Sequence, residues 1–406
     1  MIDTIKSDFD LEMEKMKKIF SINKSQMLTI ANRLSDDMEK CKYLMMLPSK
    51  LYCDNEVKCG NYIALDFGGT NIRICIYSLQ KDSKYEMIAQ HKFALKNNEH
   101  DYLSGDYTLY DIFMVVAENI KKMINTDEHY YLGHSLSRAF VCKDINQAFI
   151  TKVPNGFNIK QLKENDINDT LQKALTEHKL KVTPVCVIND TTAVLAGGRY
   201  LYPEVDMSCV IGTGYNMGMI NTNNEIINTE SDAFSDFDLN YYDELYVKWR
   251  GLPKEECNLM NGFVAPGQKA AIMANIIMED FAKKGLIDKI ENITPQVLSL
   301  SFKGIFDPEL SIKQKTFIQE VAKTICERGA NLIACQIYAI LNMIDINLEK
   351  KHGVMFEGST VANVPYIEYV TKALNLLYGQ NSNKINCYFK KDIAILGAAV
   401  AASMVS

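Results

Sequence analysis

Tyr62-Ile63-Ala64-Leu65 is a short apolar run of the kind that makes a buried strand, and Asp66-Phe67-Gly68-Gly69-Thr70-Asn71 interrupts it with small and polar residues. Ile72, Ile74 and Ile76 then alternate with Arg73, Cys75 and Tyr77. A period of two after the glycines predicts a second strand, so the glycines sit in a hairpin turn and do not open a helix. The pattern returns downstream, where Ser208-Cys209-Val210-Ile211 enters Gly212-Thr213-Gly214-Tyr215-Asn216 and leaves through Met217 to Ile220. Such a repeat predicts two related α/β domains.

The other elements follow from the same patterns. Residues 1–50 read as helical, with Ser25 capping a segment whose Met27, Ile30, Leu34 and Met38 share one face. Residues 62–95 are strand-rich, 111–124 return to helical spacing, and 130–140 and 148–150 read as strands. Residues 184–188 form a buried strand ending in Asn189-Asp190-Thr191-Thr192, and 193–200 look helical. That junction of a strand's C-terminal end with a helix is where open α/β sheets hold ligands. Residues 314–343 predict a long helix, or two broken at Gly329. A strand at 354–356 stops at Glu357-Gly358-Ser359-Thr360, and 393–404 make a buried closing helix.

The first glycine loop has the makings of an anion site. Gly68 and Gly69 leave no side chain between the backbone and an approaching phosphate, Thr70 adds a hydroxyl donor, and Arg73 supplies a forked positive charge. Asp66 beside such a site suits Mg²⁺, held through its waters. An isolated Gly-Gly would be an ordinary turn; the whole constellation favours phosphate, with a nucleotide between the two hairpins. Asp190 reads two ways, as a helix N-cap supported by Thr191 and Thr192 or as a carboxylate fixed at the end of a buried strand.

The chain has 406 residues, too many for one core of usual size, and it shows no linker, so two interwoven domains are expected. A net charge of −6 argues against nucleic acid as the main partner. The 11 cysteines form no Cys-x-x-Cys pair and the six histidines are scattered, so no zinc site is read and free thiols in a reducing cytoplasm are expected. The charged N-terminus lacks the apolar core of a signal peptide, and the longest apolar run, 394–405, is too short for a transmembrane segment.

In these motifs the chain resembles the eukaryotic-type hexokinases of the sugar kinase and actin-like ATPase superfamily. Leu65-Asp66-Phe67-Gly68-Gly69-Thr70-Asn71-Ile72-Arg73 is similar to that family's first phosphate loop, and Ile211-Gly212-Thr213-Gly214-Tyr215-Asn216 to its second. Ile150-Thr151-Lys152 resembles its Trp-Thr-Lys sugar contact, Val187-Ile188-Asn189-Asp190-Thr191 its catalytic segment, and Asn228-Thr229-Glu230-Ser231-Asp232-Ala233-Phe234 its Asn-Thr-Glu-Trp-Gly-Ala-Phe. Ile325-Cys326-Glu327-Arg328-Gly329-Ala330 and Gly358-Ser359 match as well.

The resemblance implies a two-domain actin-like ATPase (ribonuclease H-like) fold with an interdomain cleft, and phosphorylation of the 6-hydroxyl of glucose or a similar hexose by ATP and Mg²⁺. It makes Asp190 the general base. It assigns Ser137, Thr151, Lys152, Asn189, Asn216 and Glu230 to the sugar, and Asp66, Gly68, Gly69, Thr70, Asn71, Arg73, Gly212, Thr213, Gly214, Gly358 and Ser359 to the nucleotide. Residues 1–58 are then a helical segment on the large domain, 59–190 with 393–406 the small domain, and 191–392 the large one.

Three departures fall on function. The family's Phe-Ser-Phe-Pro turn is here Leu136-Ser137-Arg138-Ala139. Its second sugar-binding Glu aligns with Cys257, unless Glu255 or Glu256 is shifted into that place. Its final Asp-Gly-Ser-Gly-Lys-Gly-Ala-Ala becomes Asp392-Ile393-Ala394-Ile395-Leu396-Gly397-Ala398-Ala399. These leave open a hexokinase-like sugar sensor with little turnover, against which stand Asp66, Arg73, Lys152 and Asp190. A bacterial-type glucokinase is disfavoured because its zinc-binding cysteine cluster is missing.

Overall fold

The computed structural model describes residues 6–138, 140–151, 158–160, 162–163, 165–264 and 267–406. The chain begins with helices α1 (Asp8–Phe20) and α2 (Lys24–Glu39) and strand β1 (Leu47–Tyr52). Then come β2 (Gly60–Phe67), β3 (Asn71–Leu79), β4 (Tyr85–Ala94), α3 (Leu109–Met123), β5 (Tyr130–Leu136), β6 (Phe140–Asp144), β7 (Gln147–Ile150), α4 (Ile167–Glu177), β8 (Val182–Asn189) and α5 (Asp190–Leu201). The second half holds β9 (Val205–Ile211), β10 (Tyr215–Ile220), β11 (Glu225–Asn228), α6 (Tyr241–Arg250), α7 (Leu259–Val264), α8 (Gln268–Lys283), α9 (Pro295–Ser301) and α10 (Ile312–Ile344). It ends with β12 (His352–Glu357), α11 (Ser359–Asn363), α12 (Tyr366–Tyr378), β13 (Ile385–Phe389) and α13 (Ile393–Val405).

Two sheets carry the architecture. One runs β4-β3-β2-β5-β8, the other β1-β11-β10-β9-β12-β13. Without β1 the two orders are the same, each a three-strand antiparallel meander continued by two parallel strands. This doubled arrangement is the ribonuclease H-like fold of the actin-like ATPases, as the repeated glycine hairpins imply. Helices α5 and α13 lie between the sheets, in a core with Tyr62 and Ala64 on one side and Val205 and Met355 on the other. They approach so closely that a Cβ on Gly397 would lie 1.7 Å from the Ala193 carbonyl oxygen.

Several local expectations need correction. Asn23, not Ser25, caps α2, in a reciprocal capping box with Gln26. Residues 1–50 are not helical throughout, because β1 joins the second sheet as an edge strand, a position that tolerates Pro48. Helix α10 runs unbroken through Gly329, whose missing side chain leaves room for Tyr366; a Cβ there would lie 2.1 Å from the Tyr366 hydroxyl. One residue earlier, Arg328 makes a buried two-pronged pair with Asp243 at 2.6 and 2.7 Å, so this motif arginine is a packing anchor of α10 on α6. Among the described residues no helix is long and apolar enough to cross a membrane.

Candidate active site

Sheet register builds the site before any side chain is considered. Parallel pairing sets Phe67 of β2 against Leu136 of β5, and Leu136 against Asn189 of β8. The three strands therefore end in one row, and Gly68, Ser137 and Asp190 emerge side by side at its C-terminal edge. In the second sheet β12 pairs with β9 through Glu357 and Val210, which brings Gly358 beside the second glycine loop. Gly358 has φ of +122°, and a Cβ there would lie 2.1 Å from the Ile211 carbonyl oxygen, so only glycine fits this contact.

In the first loop the antiparallel register puts Asp66 opposite Arg73. Two guanidinium N–H groups donate to Asp66 Oδ2 at 2.8 and 3.0 Å, and a third to Asp392 at the start of α13. Burial alone would lower the Arg73 pKa, but Asp66 and Asp392 more than reverse it. Gly68 N–H closes the turn on the Asn71 carbonyl at 3.1 Å, the Asn71 amide donates to the Thr70 hydroxyl, and Gly69 and Thr70 are exposed at the tip.

Asp190 is the first residue of α5, and Asn189 is its cap, accepting from Thr191 N–H at 3.0 Å. The capping role that the sequence allowed Asp190 thus falls to its neighbour, whose amide also donates to the Arg138 carbonyl. Burial pushes the Asp190 carboxyl up to about 6; the Ser137 hydroxyl opposes the shift, and the charges of Glu230 and Asp66 add to it. A carboxyl near this value is half-way to accepting a proton at mildly acid pH.

The opposite wall comes from β10 and the turn after β11. Asn216 donates to Glu230 at 3.1 Å and to Asn228 at 2.8 Å, and Asn228 donates to Glu230 at 2.8 Å. Glu230 has a left-handed backbone, φ 46°, which turns its carboxylate back toward these amides. Thr191 of α5 reaches the same group, donating toward Asn228 at 3.4 Å, so Asp190 and Glu230 stand on neighbouring elements, near enough for their charges to interact. Thr151 follows β7, half-buried, and Lys152 lies outside the described residues.

In the second loop Gly212 N–H bonds to the Gly214 carbonyl at 2.9 Å, Thr213 is exposed, and Asn261 accepts from Tyr215 N–H at 3.1 Å. Ser359 is exposed at the start of α11 and, with Thr360, Gly267 and Ile325, lines a cavity of about 210 Å³. Cys257 is no sugar ligand. It is buried, its thiol turned to the carbonyls of Leu252 and Pro253, while Glu255 and Glu256 are exposed on the preceding turn.

Sequence reasoning missed three groups. Asp392 lies 319 positions from the arginine it pairs with, beyond any local pattern. Glu357 caps the Ala394 N–H at 2.7 Å, and burial, with the nearby Asp66 charge, pushes its carboxyl up to about 8. Arg138 was visible only as a departure from a motif, and its guanidinium extends over Gly69.

Comparison with known proteins agrees with this geometry. Two family models, both described as Hexokinase, match residues 2–200 and 270–404, well over half of the chain together. Hexokinase-1 of Saccharomyces cerevisiae is 22% identical, with 100% of this chain and 94% of that protein covered. Hexokinase-4, chloroplastic, of Oryza sativa subsp. japonica is 25% identical over 89% of this chain and 80% of its own length. The Schistosoma mansoni hexokinase structure, solved with glucose, superposes with a TM-score of 0.78 at 19% identity, covering 97% of this chain and 98% of that one. The chain belongs to the hexokinase family.

Proposed function

We infer that this member of the hexokinase family is a hexose kinase that moves the γ-phosphoryl group of ATP to the 6-hydroxyl of glucose or a similar hexose. The observation that carries the reading is Asp190, a carboxyl tuned to about 6 between a glycine loop and the Asn216–Glu230 cluster. Phosphoryl transfer asks for positioning, a carboxylate to take the hydroxyl proton, and cations or N–H groups around the γ-phosphate. Asp190 takes the proton; Ser137, Thr151, Asn216 and Glu230 bind ring hydroxyls, with Lys152 beside them. Asn189 serves by capping α5 and holding the turn of Arg138 more than by touching sugar.

Gly68, Gly69 and Thr70 receive phosphates on one wall, with Asn71 and Arg73 stiffening that loop. Gly212, Thr213 and Gly214 do so on the other, and Gly358 and Ser359 lead to the 210 Å³ cavity, which suits a nucleoside. Mg²⁺ fits this donor set only as a hydrated ion. Among the described residues no group of three carboxylate, His or Cys side chains could hold a metal, and a Mg²⁺ arriving with ATP keeps several waters. Asp66 would hold one of those waters, and the ion would supply positive charge to the phosphates. The division into a small domain, 59–190 with 393–406, and a large one, 191–392, implies closure on the substrates, which excludes water as a competing acceptor.

The sensor reading draws support from Cys257, since the second sugar carboxylate is missing at that place. A pure sensor, however, has no need of a base poised near 6. A coupled assay with ATP and a panel of hexoses decides between them: turnover of glucose or another hexose is expected, and hexose binding without turnover would assign the chain to sensing.

A further inference from the structure

The turn over the sugar holds a charge where the family it resembles holds a phenyl ring. Arg138 follows Ser137, whose hydroxyl bonds Asp190, and precedes the short hairpin of β6 and β7. Its two terminal nitrogens lie 3.7 and 3.9 Å from the point where a Cβ on Gly69 would be, so the guanidinium covers the bare face of the first glycine loop. It is held there from behind. One terminal nitrogen donates to the Ser137 carbonyl, and the Arg138 carbonyl accepts from Asn189, the cap of the base's own helix, at 3.1 Å.

Cost and charge both argue that this residue has work to do. Drawing a guanidinium into a half-buried turn carries a desolvation penalty that a phenyl ring would not. The family's Phe means that the turn can form without an arginine. Arg73, the cation that the sequence offers to phosphate, is already matched by Asp66 and Asp392. A triphosphate entering this loop therefore meets a local charge that Arg73 no longer balances. Burial draws the Arg138 pKa down and the Asp190 charge opposes this, but an arginine stays protonated in either case.

We propose that Arg138 is a phosphoryl-binding residue of this chain, a cation supplied by the sugar-side turn that grips the γ-phosphoryl group over Gly69 as it passes to the hexose. The inference rests on the kinase reading above. In the step, the bond between the γ-phosphorus and the β,γ-bridging oxygen breaks and its electron pair leaves with ADP. The hexose oxygen bonds to phosphorus, and its proton passes to Asp190. Arg138 keeps its proton throughout and neutralises charge on the equatorial oxygens, which is the kind of stabilisation that preorganised donors provide. Because one short turn carries both Ser137 and Arg138, sugar hydroxyl, base and phosphoryl group are referred to a single piece of backbone.

The test compares Arg138→Phe, Arg138→Lys and the intact protein. In Arg138→Phe, kcat should fall by roughly 10²–10³, the usual worth of one preorganised donor. The KM for hexose should stay within about threefold, and Arg138→Lys should recover at least about tenfold of the loss, since it restores charge without the fork. Binding gives a second readout. Preference for the β,γ-imido analogue of ATP over ADP should shrink in Arg138→Phe, because the contact is to the γ-group. Unchanged kcat in Arg138→Phe would overturn the proposal. So would a loss of hexose binding with the analogue-to-ADP ratio intact, which would make Arg138 only a brace for the turn. An intact protein that turns over no hexose sinks the kinase reading instead, and the analogue-to-ADP ratio still judges Arg138.

Discussion

The two glycine hairpins share a strand order and differ in how they are held. In the first, charge does the holding: Asp66 and Asp392 clasp Arg73, and Arg138 lies over Gly69. In the second, hydrogen bonds do most of it, with the Asp232 carboxylate behind them accepting from the Asn261 amide at 3.0 Å. Asn261 bonds the Tyr215 N–H, the Tyr215 hydroxyl bonds Gln336, and a Cβ on Gly212 would meet nothing within 4 Å. A repeated backbone has thus been given two electrostatic characters. The first loop is held by ion pairs and the second mainly by hydrogen bonds, and the carboxylates of Asp190 and Glu230 lie near enough for the Glu230 charge to raise the Asp190 pKa.

The strongest test of that contrast removes the base. Asp190→Ala should lower kcat by about 10²–10⁴ with sugar affinity within roughly tenfold. Near-normal turnover would reduce Asp190 to the first residue of a helix. Next comes the other wall, where Glu230→Gln should raise the KM for hexose about 10- to 150-fold, matching the roughly 1.5–3 kcal/mol of a charge-assisted hydrogen bond. Cys257→Ser should leave that KM alone, because the thiol faces backbone carbonyls in the core; an equal effect of both variants would return Cys257 to the sugar site.

The pH dependence should be milder. Since the Asp190 pKa lies near 6 and the ionised form is the base, kcat/KM should fall as pH drops through about 6, approaching tenfold per unit below it. A flat profile down to pH 5 would place the base elsewhere. The same upward shift means that the folded protein holds this proton more tightly than the unfolded chain, so stability falls as pH rises from 3.8 to about 6. Smallest should be the stability effect of Gly212→Ala, within about 0.5 kcal/mol because a methyl group there meets nothing within 4 Å. Gly358→Ala is its counterpart for stability. A methyl group 2.1 Å from the Ile211 oxygen must push α11 off the loop, and the melting temperature should drop by several degrees. Equal behaviour of the two variants would mean that the second loop is looser than its contacts imply.

Much of the fold was legible because strand periodicity and loop chemistry are local. Ile72, Ile74 and Ile76 announce a strand whatever lies elsewhere, and the recurrence of the pattern at Gly212 announces the repeated fold. Asp190 was legible as one of two alternatives; the cap falls to Asn189, and the general-base role is the one we propose. What escaped was set at a distance. The Asp392 partnership of Arg73 depends on where the last helix starts, and the continuity of α10 through Gly329 depends on Tyr366. The place of Cys257 stayed open because a position in an alignment carries no information about which way a side chain turns; the thiol faces backbone carbonyls. Strand β1, with Pro48 and a short irregular pairing, lacks the alternation that marked the others.

The crossing of α5 and α13 bears on how such a protein can change over generations. At Gly397 the two backbones touch with no side chain between them, and a methyl group added there would run into Ala193 at 1.7 Å. Ala193 lies three residues past the base, and α13 begins one residue past the partner of Arg73, so a side chain at 397 would register at both ends of the reaction centre at once. The glycine is therefore heritable only together with the geometry of the site. Its loss in a distant descendant would be as telling a sign of abandoned catalysis as a change in either glycine loop.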